Sequence, residues 1–342
     1  MLADLMPIFA IAIALVVGAI FIYAAGKNPW LAYYHMFRGA FGGPYAVGET
    51  LSRFVPLAFC ALGFAVGFKA GVFNAGAEGQ LYMGALAATL IGTLLHGIPS
   101  PIHILLAVFA GFLLASVWGS IAALFKVWVG ANELITTIML NYIAILFVDL
   151  LLVSALKDPA GMVEQSRKLE PSALLPYLVP GSRLHLGVVL ALLSVVAVYY
   201  LLWRTPLGYS LRFVGENAVA AKYAGVDVSR AVIVAMIVSA GLAGIGGAAE
   251  VMGSQHRLMR GFSPGYGFDG IAAAVMAKEN PFGVILTSLL FAILRVGAGA
   301  MQRQVGVPLP LVNVIQGMVI ILVIASSFFS RNLSSMLKAE RG

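Results

Sequence analysis

The sequence predicts an all-α integral membrane protein with about ten transmembrane segments, and three observations predict it. Hydrophobic residues make up 61% of the 342 and charged residues only 10%, with a mean hydropathy of +0.97; ordinary soluble domains carry about 25% charged residues. Apolar runs recur along the whole chain at the length of about 20 residues that a bilayer-spanning helix needs. The charged residues gather in short connectors between these runs. A soluble fold of this composition would have to expose more apolar surface than water tolerates.

The first run, residues 5–25, carries no charge, and its flank holds Asp4 but no Lys or Arg. It therefore reads as a span, since a secretory signal needs a basic flank. The second is residues 54–68. Residues 79–125 contain no Asp, Glu, Lys or Arg, too long for one helix, and Gly97-Ile-Pro-Ser-Pro101 supplies a turn that splits them into two spans. Further spans are expected at 133–155, 184–203, 231–253, 281–300 and 309–329. Residues 267–277 are too few to cross alone and read as a half-helix buried in protein.

Two polar stretches interrupt the series. Residues 156–183 hold Pro159, Pro171, Pro176 and Pro180 with mixed charge and predict an extramembrane loop. Residues 204–230 hold Arg204, Arg212, Lys222 and Arg230 with Glu216 and Asp227, and are helix-permissive between Gly215 and Gly225. Cytoplasmic connectors normally carry the Lys/Arg excess. Placing 204–230 inside puts both termini in the cytoplasm by parity and makes 156–183 extracytoplasmic. With that segment counted inside, Lys and Arg divide evenly between the two sides, so the charge count as a whole does not orient the chain. Residues 1–342 are expected to form one polytopic domain. Five segments per half would force the second half to insert upside down, giving a five-plus-five inverted repeat with a path at the repeat interface. Phe73-Asn74-Ala75-Gly76 and Phe268-Asp269-Gly270 are the corresponding interrupted segments.

Several function classes are excluded. The net charge of +7 is spread singly, without the basic patch that a nucleic-acid partner requires. Five His and the single Cys60 give neither a disulfide framework nor metal-ligand spacing, and no cofactor is expected. Cys60 reads as a small packing residue. The GxxxxGK[ST] phosphate loop is absent, so ATP hydrolysis by that route is not this chain's work. HExxH is absent, and a hydrolase turn of the Gly-x-Ser-x-Gly type is not expected either. The chain is not expected to be an enzyme.

Ionisable residues within apolar stretches are costly and normally face a bundle interior; here they are Glu78, Glu133, Asp149, Glu250, Asp269 and Arg295. Asn132 and Glu133 are suited to opening a helix. Asn74, Glu78, Gln80, Tyr82, Asn141 and Tyr142 are the candidate path residues. Most are neutral donors and acceptors, with some aromatic surface, and suit an uncharged polar solute. The same groups equally suit helix-to-helix hydrogen bonds. Gly63, Gly67 and Gly71, with Gly241, Gly244 and Gly247, recur at helical spacing and predict close helix packing. No relay of carboxylates and His suggests proton coupling.

Four blocks carry a resemblance: GVFNAGAEGQLYMGALAA (71–88), NELITTIMLNYIA (132–144), LGYSLRFVGENAVAAKYAGVDVSR (207–230) and GFDGIAAAVMAKENPFGV (267–284). In this order the chain resembles the permease subunits of bacterial ATP-driven importers for branched-chain amino acids, simple sugars and nucleosides, and the nucleoside type most. The resemblance implies a location in the cytoplasmic (inner) membrane and nucleoside import by alternating access. It also implies ATP-binding-cassette ATPase subunits, a second permease subunit and an extracytoplasmic solute-binding lipoprotein as partners. In such permeases a short cytoplasmic coupling helix docks on the ATPase. Val219-Ala220-Ala221-Lys222-Tyr223-Ala224-Gly225 is similar to that E-A-A-x-x-x-G pattern, with Val219 where Glu is usual and Glu216 one turn earlier. Glu216, Ala220, Ala221 and Gly225 are the coupling residues so implied.

Overall fold

The computed structural model describes residues 2–308, 310–311, 313–315, 317–318, 321–322 and 325. Among them there are helices and no strands, only three isolated bridges. The helices are α1 (Leu2–Ala24), α2 (Pro29–Phe41), α3 (Pro44–Lys69), α4 (Ala77–Leu94), α5 (Ser100–Val129) and α6 (Glu133–Val153), then α7 (Gly187–Arg204), α8 (Pro206–Glu216), α9 (Ala218–Tyr223), α10 (Val228–Glu250), α11 (Tyr266–Met276) and α12 (Pro281–Val305). Six of them, α3, α5, α6, α7, α10 with the turn that follows it, and α12, are long and apolar enough to cross a bilayer. The split expected near residue 97 falls between α4 and α5, and the expected half-helix is α11. The expected span 309–329 lies largely outside the described residues.

Helix starts follow the sequence closely. Asn132 accepts from the Leu134 and Ile135 amides and so caps α6, giving partners to two of the orphan amides of a helix start. Glu133 at the same end pairs with Lys126 at 2.5 Å. One helix has no counterpart among the expected elements. Asn28 caps α2 through the Trp30 and Leu31 amides, with Pro29 in the first turn, a start signal legible in Asn-Pro but carried by a helix too short for a span.

The chain divides into two compact units. The first comprises residues 1–50 and 292–342. In it α2 lies on the second half of α12: a Cβ on Gly39 would stand 2.3 Å from the Ala300 Cβ, and one on Gly297 2.4 Å from the Met36 Cγ. The second unit, residues 51–291, is built around α10, which packs on α4 and α5. A Cβ at Gly247 would fall 1.9 Å from the Leu81 carbonyl oxygen of α4, and one at Gly244 2.4 Å from the Gly111 carbonyl oxygen of α5. A Cβ on Gly63 of α3 would meet the Ser239 carbonyl of α10 at 2.4 Å. The glycine spacing read from the sequence therefore places α10 against three neighbours at backbone contact. Cys60 is fully buried, its Cβ facing Gly270, in the packing role expected of it.

Helix α10 does not end as an α-helix. Residues Val251–Gln255 form one turn of π-helix, and His256 after it takes a left-handed backbone with φ of 60°. The segments on either side of this turn and the loop 156–183 pair at the same end of the unit. Ser166 donates to the Leu258 carbonyl, Leu169 to that of His256, and Leu175 to that of Met252. The loop expected at 156–183 is therefore irregular but hydrogen-bonded, and it holds no helix longer than the 3-10 turn Pro171–Ala173.

Candidate functional site

The two interrupted segments meet. After α3 the chain turns at Gly71 and runs without helical structure through residues 72–76 before α4 begins. Helix α11 likewise starts only after a non-helical approach, its first turn at Tyr266 and Gly267. The Gly267 amide donates to the Glu78 Oε2 at 2.6 Å, and a Cβ on Gly267 would stand 2.3 Å from the Glu78 nitrogen. Two helix N-termini thus come together, 189 residues apart in sequence, each presenting amides without an intrahelical acceptor and a partial positive charge. Glu78 lies in the first turn of α4 and is 4% exposed. Its carboxylate between the two helix ends offsets both dipoles at once, which accounts for an acid in an otherwise apolar stretch.

The neutral candidates around it are committed to structure. Asn74 Nδ2 donates to Gln80 Oε1 at 2.9 Å and to Ser239 Oγ at 2.8 Å, while its Oδ1 accepts from the Gly76 amide and from Gln80 Nε2. Asn141 on α6 accepts from the Gly79 amide at 2.7 Å and donates to the Ala75 carbonyl at 2.8 Å. Thr137, one turn earlier, accepts from the Ala75 amide. Asn74, Gln80 and Asn141 are each no more than 2% exposed. Tyr82 is buried against Phe262, ring centroids 4.6 Å apart. Tyr142, by contrast, is 59% exposed and points away from this cluster. Removing the Asn141 side chain would strand a buried amide and a buried carbonyl. Asn141→Ala is therefore expected to lower stability by about 2 kcal/mol, the scale of unsatisfied buried groups, measured by thermal unfolding in detergent. An unchanged melting temperature would show that these bonds do not hold α4 to α6.

The polar segment expected at 204–230 is two helices, α8 and α9, rather than one. Asn217 separates them and caps α9 by accepting from the Ala220 amide. The short helix stops at Gly225, whose φ is +84°. The Gly225 amide donates to the Lys222 carbonyl and the Val226 amide to that of Ala221, the paired bonds of a Schellman stop. The implied coupling residues are placed differently from one another. Ala220 is exposed, and Glu216 is the exposed last residue of α8. Ala221 is fully buried, packed with Ala70, Leu211, Val214, Ala231 and Ala235 of its own chain. Its small side chain serves an internal contact. The outward face of α9 carries Val219 and Tyr223, 66% and 91% exposed, one helical turn apart. Beside it, the backbones of Gly71 and Gly215 touch: a Cβ on Gly71 would be 3.2 Å from the Gly215 Cα. Segment 204–230 is thereby pressed on the turn that leads to Asn74 and Glu78.

Several of the other ionisable residues in apolar stretches have visible partners. Glu250, at the junction of α10 and the π turn, is fully buried and accepts from Arg53 Nη1 and Gln255 Nε2, both at 3.1 Å. Arg53 also donates to the Tyr266 hydroxyl at 2.6 Å. Asp149 and Glu164 both pair with Arg260. Sequence reasoning passed over Ser52, His185 and Ser254. His185 is fully buried, its Nδ1 accepts from the Gly187 amide, and its Nε2 lies 3.0 Å from Ser52 Oγ, which in turn is 2.6 Å from Ser254 Oγ. The local signal was only a lone His between apolar runs. The expectation that no Gly-x-Ser-x-Gly occurs is wrong: Gly261-Phe262-Ser263-Pro264-Gly265 has that spacing. Ser263 Oγ instead accepts from the Gly265 and Tyr266 amides, closing the turn that leads into α11. With no strand before it, the turn lacks the strand–turn–helix setting of a nucleophile elbow.

The family model for the branched-chain amino acid transport system permease component matches residues 46–324. The chain belongs to this permease family. The guanosine ABC transporter permease protein NupP of Bacillus subtilis is 35% identical over 340 residues, covering 98% of this chain and 97% of the relative. The nucleoside ABC transporter permease protein NupB of Lactococcus lactis is 32% identical, covering 93% and 90%. A glucose ABC transporter permease of Haloferax volcanii is 34% identical, covering 98% and 91%. No solved structure matches the chain. The permease is accordingly a multi-helix membrane protein and a transport subunit, and the resemblance read from the four motif blocks holds over nearly the whole chain.

Proposed function

We propose that this permease forms the translocation path of an ATP-driven nucleoside importer, together with a second permease subunit, identical or related, and works by alternating access. The reading gives the chain about ten membrane segments in a five-plus-five inverted repeat with both termini cytoplasmic. Residues 204–230 then face the cytoplasm and 156–183 the outside. It rests on one observation above the rest: the helix starts of the two chain halves are paired through Glu78 and Gly267, as discontinuous helices are at the midplane of repeat transporters. The solute class comes from the guanosine and nucleoside permeases among the relatives. A sugar is the second reading, favoured by the glucose permease at nearly equal identity.

In this scheme an extracytoplasmic lipoprotein delivers solute and separate ATPase subunits supply the energy. Closure of the ATPase pair moves α9, its outward Val219 and Tyr223 meeting the ATPase. The motion passes through Ala221 on Ala70 and Gly215 on Gly71, then along residues 72–76 to Glu78. The path runs beside the paired helix starts, with Tyr82 and Phe262 as aromatic surface and Asn74, Glu78, Gln80 and Asn141 fixing its wall. Tyr142 stands outside it.

The test is uptake by vesicles holding the assembled complex, its ATPase and its binding protein. Labelled guanosine should accumulate when ATP is enclosed, and excess unlabelled nucleoside, but not glucose, should compete. Accumulation of glucose alone would replace the nucleoside reading with the sugar one. Uptake by vesicles holding only this chain would overturn the importer-subunit reading. The stop of α9 gives a second test. Valine at position 225 must adopt a left-handed backbone, which costs about 1–2 kcal/mol, although the space around Gly225 is open. Gly225→Val is expected to insert normally and to lose ATP-driven uptake; normal uptake with normal co-purification of the ATPase would show that α9 is not the docking helix.

A further inference from the structure

We propose that the groove between α1 and α2 holds an anionic glycerophospholipid, with an acyl chain along α1 and the headgroup phosphate on Lys27. The groove encloses about 1110 Å³. Its wall along α1 is made by Leu15, Val16, Ala19 and Ile20, and Tyr33 of α2 closes its deep end. The Tyr33 hydroxyl is not available to a ligand there, because it donates to the Leu15 carbonyl at 2.5 Å. The deep end therefore offers apolar surface only, and nucleoside hydroxyls would find no partner in it.

The height of the groove matches one leaflet. From Leu15 to Ala24, the end of α1, the helical rise amounts to about 14 Å, close to the ~15 Å that is half of a hydrocarbon core of ~30 Å. Helix α1 stops at the mouth, where Gly26 takes a φ of +73° and the Lys27 amide donates to the Ile22 carbonyl. Tyr23 and Trp30 flank the mouth at 77% and 85% exposure, the aromatic pair expected at headgroup depth. Lys27 is half-buried and is the one cation among the described lining residues, which include no carboxylate. The neighbouring Asn28 already spends its side-chain oxygen on the Trp30 and Leu31 amides. An elongated apolar slot, one leaflet tall, with a lone positive charge at its mouth, has the shape and charge of a lipid with a negative headgroup. The two chains of that lipid, rather than a compact solute, would fill the volume.

The experiment is native mass spectrometry of the assembled transporter after exposure to equal amounts of phosphatidylglycerol and phosphatidylcholine. The unmodified complex should retain phosphatidylglycerol about fivefold over phosphatidylcholine, the scale of one Lys near an anionic lipid. Lys27→Glu should erase that preference, and Ala19→Trp, which fills the slot, should lower retention of both lipids. Quenching of Trp30 fluorescence by a phosphatidylglycerol with brominated acyl chains, read against a Trp30→Phe complex, should fall with Ala19→Phe, which narrows the slot without adding a tryptophan. Equal retention of the two lipids by the unmodified complex, or a preference that survives Lys27→Glu, would overturn the proposal. So would the absence of any bound lipid because another subunit covers the groove.

Discussion

Gly84→Ala is expected to leave little or no folded permease. A Cβ at this position would stand 2.1 Å from the Gly244 carbonyl oxygen and 2.3 Å from the Gly244 Cα, so the obstacle is backbone and has no rotamer to change. Moving α4 off α10 would also disturb α5, because Gly111 of α5 packs on both Gly84 and Gly244. Overpacking in a core usually costs about 1–3 kcal/mol, and this site lies above that range because three helices must separate together. The measurement is the monodisperse fraction after detergent extraction, with the melting temperature of what remains. Gly97→Ala is the control: Gly97 has a positive φ, which Gly84 does not, and open space around it, and the loss there should be about 1 kcal/mol. A Gly84→Ala protein that melts like the unmodified one would mean that α4 and α10 do not meet at backbone contact.

Glu78→Ala is the second large effect. It leaves the Gly267 amide without the acceptor found at 2.6 Å and removes the negative charge from between two helix N-termini. Hydrogen bonds to charged groups contribute about 1.5–3 kcal/mol, and helix-end charge in partly buried settings up to ~2 kcal/mol. The expected loss is therefore about 3 kcal/mol or more, with coupled uptake abolished. Glu78→Gln keeps an acceptor oxygen and should recover part of the stability. Thermal unfolding and uptake per folded complex, measured on both variants, separate the two contributions. If Glu78→Ala and Glu78→Gln behave alike and both melt normally, the paired helix starts are held by something other than this carboxylate.

Local features of the sequence anticipated most of the architecture. Uncharged length marked the long apolar helices, Gly97-Ile-Pro-Ser-Pro101 marked the break before α5, and Asn132 with Glu133 marked the start of α6, because each of these is decided by neighbours within one or two turns. The glycine spacing on α10 marked contact surfaces without naming the partner of each. What the sequence withheld depends on contacts between distant residues. Nothing near Glu78 indicates that its acceptor serves an amide at Gly267, nor that Asn141 holds the Ala75–Gly79 segment. Chain position suggested that Asn74, Gln80 and Asn141 belong together, and they do. The bonds of Asn74 to Gln80 and Ser239, and of Asn141 to the backbone of Ala75 and Gly79, could be seen only once α4, α6 and α10 were placed. Ala221 illustrates the same limit, since a small residue permits close approach from either side and only the fold says which.

The π turn at Val251–Gln255 has a consequence for how the C-terminal end of α10 can change. In an α-helix at 3.6 residues per turn, residues five apart point about 140° away from each other, so Glu250 and Gln255 could not bond on one regular helix. They do bond here, at 3.1 Å, because the wider turn absorbs one additional residue. The same widening opens the wall at Gly253, where a Cβ would fall 2.4 Å from the His185 ring. One surplus residue thus sets the angular phase of Ser254 and Gln255 and makes the recess that receives the imidazole. Deleting any single residue of the turn would restore regular winding, rotate both side chains off their partners and close the recess in one step. The length of this segment is consequently fixed to the residue, whereas a loop of similar size elsewhere would accommodate the change.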